Sequence, residues 1–130
     1  MHRGWLRLAA LIGFVAVGGG AFGAHALADR LADKQLEWWH TGARYALVHA
    51  PVLFGVALAH GRARAAPLRV AGFGFALGVA IFTGSLWTMA LGGPRWLGAI
   101  TPIGGLCLLV GWAALAVSAG DGAQGSGSAP

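Results

Sequence analysis

Four long stretches of this chain carry no Asp, Glu, Lys or Arg, and they run 8–28, 45–61, 70–94 and 96–120. A helix needs roughly 20 mostly apolar residues to cross about 30 Å of hydrocarbon. Three of the stretches reach that length. The second falls short, so Thr41 to Arg44 is expected to complete its outer turn. In lipid no water is available to backbone N–H and C=O groups, and a helix is the simplest structure that satisfies them within one segment. The period-two alternation of a membrane barrel is absent. The expected fold is therefore all-α, an integral membrane bundle of four transmembrane helices. The spans are placed at about 6–28, 41–61, 70–92 and 96–118, with a disordered Gly/Ser/Ala-rich tail over 120–130.

Composition agrees with that reading. Only 10% of the residues are charged and 57% are hydrophobic, whereas soluble domains carry about 25% charged residues. A water-facing surface cannot be assembled from so few charges. The net charge of +5 raises the question of nucleic-acid binding. Nine Lys and Arg with no run of five answer it in the negative; they are read as flanks of membrane spans. The single cysteine, Cys107, lies in an apolar stretch and is read as a small buried residue.

The connections are short. Residues 29–40 are polar and fit an amphipathic interfacial helix, with Leu31, Leu36 and Trp39 set against Asp29, Asp33, Lys34 and Glu37. Residues 62–69 form a basic turn containing Pro67, and 92–96 a tight Gly-Gly-Pro turn. The first span has a rival reading as a signal peptide, with Arg3 and Arg7 leading to Ala26-Leu27-Ala28. Arg3, Arg7, Arg62, Arg64 and Arg69 fall on one side, and Arg30, Lys34, Arg44 and Arg95 on the other. That bias, weighted to the first helix, places both termini in the cytoplasm. Trp5, Trp38, Trp39 and Trp96 lie near span ends, where indole rings favour the headgroup level.

Because lipid tails are as apolar as leucine, the helices must associate through close packing and hydrogen bonds. Gly19 and Gly23 form a small-residue seam in the first span. Gly74, Gly78 and Gly84 form another in the third. Pro51 removes a backbone donor and is expected to kink the second span.

Ionisable residues at membrane depth are functional candidates. His25 lies near the outer end of the first span, Arg44 opens the second, and His49 sits about 7.5 Å deeper. Thr41, Tyr45 and His49 repeat every four residues and share a face. Ser85 and Thr101 fall in the same half of the bilayer. The expected site is a polar cluster of His25, Thr41, Arg44, Tyr45, His49, Ser85 and Thr101, with Glu37 as the nearest acid to Arg44. No motif of a hydrolase, metalloprotease, redox dithiol or P-loop is present.

Four strings carry a resemblance. They are Gly20-Ala21-Phe22-Gly23-Ala24-His25-Ala26-Leu27; Thr41-Gly42-Ala43-Arg44-Tyr45 followed by His49-Ala50; Gly84-Ser85-Leu86-Trp87; and Thr101-Pro102-Ile103-Gly104-Gly105 ending in Gly111-Trp112. In this order they resemble the domain-of-unknown-function 423 family, the bacterial YgdD-like proteins, related to eukaryotic transmembrane protein 256. The resemblance covers nearly the whole chain except its tail. It implies a small multi-span protein of the bacterial inner membrane and no established activity, substrate or cofactor. Trp87 stands where that motif has Tyr, and Pro51 where an aliphatic residue is usual. Cleavage after Ala28 would discard the first motif, which argues against the signal-peptide reading.

The functional expectation is a non-enzymatic inner-membrane component acting through interaction, with the lipid bilayer around it and with itself or a larger complex. No cofactor, metal or nucleic acid is expected. The alternatives are a small transporter or lipid/quinone-binding protein using an outer-leaflet polar pocket, and a haem protein using His25 and His49.

Overall fold

The computed structural model describes residues 1–120; the tail over 121–130 lies outside the described residues. Four α-helices follow in order: α1 (Arg3–His25), α2 (Asp33–Ala59), α3 (Ala65–Ala90) and α4 (Thr101–Ser118), the last preceded by a 3₁₀ turn at Arg95–Ala99. There is no strand among the described residues. All four helical segments are long and apolar enough to cross a membrane.

The helix boundaries show which local forces prevail. The polar segment before the second span does not form a separate interfacial helix: Asp33 to His40 is continuous with α2. No breaker separates His40 from Thr41, and the Gln35 side chain accepts a hydrogen bond from the Ala32 N–H at the first turn (3.1 Å). At 1.5 Å per residue α2 is about 40 Å long, so its first turns stand beyond the hydrocarbon. Pro51 lies inside α2 and does not end it. Pro67 falls in the first turn of α3, where the missing N–H has no intrahelical partner to lose. Gly61 and Gly92 take positive φ (88° and 92°) and turn the chain after α2 and α3.

α2 and α3 pack against each other at the centre, with α1 laid on α2 and α4 laid on α3. Leu53 and Val56 of α2 and Phe75 of α3 are completely enclosed. Ala9 and Ala16 of α1 and Leu108 of α4 close over them from either flank. The outer faces of the flanking helices remain apolar: Phe14 is 80% exposed and Leu109 66%. A helix apolar on every side belongs in a protein interior or in lipid, and these are on the outside. The molecule is an all-α, four-helix transmembrane bundle.

Glycine brings α3 and α4 together. A β-carbon on Gly74 would stand 2.8 Å from the Gly111 Cα and 2.9 Å from the Cys107 carbonyl oxygen. One on Gly78 would meet Leu108 at 2.5 Å, and one on Gly104 would meet the Phe82 backbone nitrogen at 2.5 Å. Backbone therefore lies on backbone along this crossing, the arrangement by which small residues hold helices together in lipid. Gly84, grouped with this seam from its spacing, does not belong to it: it is exposed and faces open space. At 3.6 residues per turn the step from Gly78 to Gly84 carries the face about 120° around α3. Ala80 and Gly84 accordingly line a groove on the α1 side of α3, beside Leu11, Ile12 and Val15.

Candidate functional site

Near the loop joining α1 to α2, three helices are tied by two indoles. The rings of Trp39 and Trp87 stack with centroids 4.4 Å apart and planes 11° from parallel. The Trp39 N–H donates to the Gly19 carbonyl of α1 (2.7 Å), and the Trp87 N–H donates to the Trp39 carbonyl of α2 (2.9 Å). The Thr83 hydroxyl donates to the Gly42 carbonyl (2.8 Å), adding a second link between α3 and α2. Gly19 and Gly23 serve this arrangement. A β-carbon on Gly19 would run into the Trp87 ring, and one on Gly23 into the Trp39 ring. The small-residue seam of α1 is thus a pair of sockets for indoles, whereas that of α3 receives backbone.

His49 forms the second polar centre and is buried. Its Nδ1 lies 2.7 Å from the Tyr45 carbonyl oxygen, and its Nε2 lies 3.1 Å from the Trp112 indole nitrogen. A carbonyl only accepts and an indole N–H only donates. The two bonds together therefore assign the neutral tautomer with the proton on Nδ1, and both ring nitrogens are engaged. The third centre joins α3 to α4: the Ser85 and Thr101 hydroxyls lie 2.7 Å apart. They also reach the Phe82 and Leu97 carbonyls at 3.1 and 3.2 Å.

The seven residues grouped from the sequence do not meet in one cluster. Ser85 and Thr101 pair with each other, and His49 pairs with Trp112. His25, at the end of α1, is exposed, as are Arg44 and Tyr45. Thr41 is half-buried. Glu37 bonds to Lys34 (3.3 Å) instead of Arg44, because three residues along a helix brings Lys34 alongside it. Arg44 has no acidic partner among the described residues. Thr83 and Trp87 are legible from the sequence as polar groups in the same half of the third span as Ser85, but spacing does not mark Trp39 and Trp112 as members of polar centres. Trp39 reads from sequence as an interfacial ring yet is 6% exposed. The available signal is the pairing of bulky indoles with glycines on a neighbouring helix, which requires knowing which helices are neighbours.

His25 and His49 therefore do not present two free imidazoles to one iron. No group of three or more His, Cys, Asp or Glu able to hold a metal occurs among the described residues. The buried polar side-chain atoms there all have a hydrogen-bond partner.

The matched family is described as "Protein of unknown function (DUF423)", and its model covers residues 19–105, which takes in both indole sockets, His49 and the Ser85–Thr101 pair. The chain belongs to the DUF423 family. Similar DUF423 relatives include the "UPF0382 membrane protein YwdK" of Bacillus subtilis, 41% identical over 86% of this chain and 92% of the relative. A "UPF0382 membrane protein" of Staphylococcus epidermidis is 40% identical over 85% and 90%. The "UPF0382 inner membrane protein YgdD" of Escherichia coli K12 is 37% identical over 90% and 89%. No solved structure matches. Like these relatives, the DUF423 chain is a membrane protein.

Proposed function

We propose that this protein is a non-enzymatic component of the bacterial inner membrane that works by association, with itself or within a larger membrane complex. The observation that carries this reading is Arg44. It is exposed on α2, stands at the outer end of the uncharged stretch of that helix, and has no acid beside it among the described residues. A guanidinium near the end of a span is held by the headgroups or by a counter-charge. An acidic side chain at the same depth on a neighbouring transmembrane helix supplies one, with planar geometry that Arg pairs in bidentate fashion. The non-enzymatic part rests on the polar interior. His49, Ser85, Thr83 and Thr101 spend their donors and acceptors on fixing helix register. The name of the Escherichia coli relative supports placement in the inner membrane. The weight of Arg3 and Arg7 in the first turns of α1 supports cytoplasmic termini.

Cross-linking and pull-down from native membranes test the reading, comparing wild type with Arg44→Ala and Arg44→Lys. A defined neighbour lost in Arg44→Ala and partly kept in Arg44→Lys is expected. An identical set of neighbours in all three would contradict it.

A further inference from the structure

α2 and α4 both lean on α3, and a trough is left between them. Its upper part, about 600 Å³, begins at Lys34, Trp38 and Arg95 and has Phe82 and Pro102 deeper in its wall. A second hollow of about 410 Å³ shares Phe82 and Pro102 and continues along Tyr45, Gly105 and Leu109. The two hollows adjoin at these shared residues. The chemistry is sorted along this path. Two cations stand at the loop end with no acidic side chain in the lining. An indole of the kind that favours the headgroup level comes next. Beyond it the walls are apolar and aromatic. Thr101 also lines the upper part, but its hydroxyl is engaged by Ser85 and the Leu97 carbonyl.

We propose that this trough is a binding site for an anionic phospholipid, with the phosphate between Lys34 and Arg95 and one acyl chain laid past Phe82 toward Leu109. Charge complementarity selects the headgroup. Two Lys/Arg side chains line the loop end of the trough, and a zwitterionic lipid would bring its own cation into the same space. The Lys34–Glu37 pair does not block the site. Its members are 68% and 66% exposed, and exposed pairs of this kind are weak and exchange readily. The groove on the inner half of the α3/α4 crossing provides the contrast: it is also about 600 Å³ and apolar, but has one cation, Arg69. This proposal does not depend on Arg44 or on any protein partner.

The test is native mass spectrometry of the full chain in detergent, titrated with phosphatidylglycerol and phosphatidylcholine of the same acyl composition. A juxtamembrane cation contributes about a factor of five toward an anionic lipid, so wild type is expected to prefer phosphatidylglycerol by roughly tenfold or more. Lys34→Gln with Arg95→Gln is expected to remove that preference. Arg62→Gln with Arg64→Gln, at the opposite end, is expected to leave it. Gly105→Leu probes the acyl path: a β-carbon there meets only the Phe82 ring, at 3.9 Å, so the side chain enters the trough without striking backbone. It is expected to weaken both lipids alike. Equal binding of the two lipids by wild type overturns the proposal. So does an equal loss of preference in the two double variants, or undiminished binding by Gly105→Leu.

Discussion

Replacing Gly74 with alanine tests the α3/α4 crossing at the place where it has least room. The new methyl would lie 2.8 Å from the Gly111 Cα and 2.9 Å from the Gly111 nitrogen and the Cys107 oxygen. Those are backbone atoms of α4 and no rotamer change moves them. Restoring ordinary contact requires α4 to retreat by about half an ångström, and a gap of that order forfeits about a quarter of the dispersion energy of atoms along the seam. Overpacking of this kind costs about 1–3 kcal/mol. Alanine returns up to about 1 kcal/mol through helix propensity. Gly84→Ala supplies the reference, since it has the same propensity gain on the same helix and nothing within 4 Å of its β-carbon. Gly74→Ala is expected to be less stable than Gly84→Ala by about 1–3 kcal/mol. Reversible unfolding in mixed micelles with increasing sodium dodecyl sulfate, followed by circular dichroism, reads the difference. Equal stability of the two variants would refute the claim that backbone contact holds this crossing.

Trp112→Phe removes the donor to His49 and is expected to cost about 0.5–2 kcal/mol, with a coupling to His49→Phe near about 0.6 kcal/mol in a double-mutant cycle by the same unfolding assay. The stacked Trp39 and Trp87 rings should give an exciton feature in circular dichroism that disappears equally in Trp39→Phe and Trp87→Phe; a feature surviving either change would rule out the stack. Protein produced with ample haem is expected to show no Soret absorption, because both nitrogens of His49 are engaged; a Soret band lost in His49→Phe would overturn that assignment.

The spans are legible in the sequence because uncharged stretches of this length have few other uses, and no long-range information is needed to see them. The start of α2 is not. Its first turns are polar and read as a surface segment, yet the absence of a breaker at His40–Thr41 lets one helix continue out of the lipid. The polar residues are legible one at a time, but their grouping is not. His25, Arg44 and Tyr45 share a depth with Ser85 and Thr101, and depth says nothing of azimuth. On α2, Gly42, Ala46 and His49 face the bundle while Arg44 and Val48 face away. Gly19 and Gly23 stand out as a place of close approach; that the approaching groups are indoles follows only once α1 is seated against α2 and α3.

Four crossings require the two ends of the chain to share a side of the membrane, and side-specific labelling measures this most directly. In a Cys107→Ala background, single cysteines at Arg62, between α2 and α3, and at Asp29, between α1 and α2, are labelled in sealed vesicles beside tags at each terminus. Both tags and Arg62→Cys should be reached from one side and Asp29→Cys from the other. Termini reached from opposite sides, or a chain that stays monomeric in water without detergent, would contradict the four-helix membrane bundle.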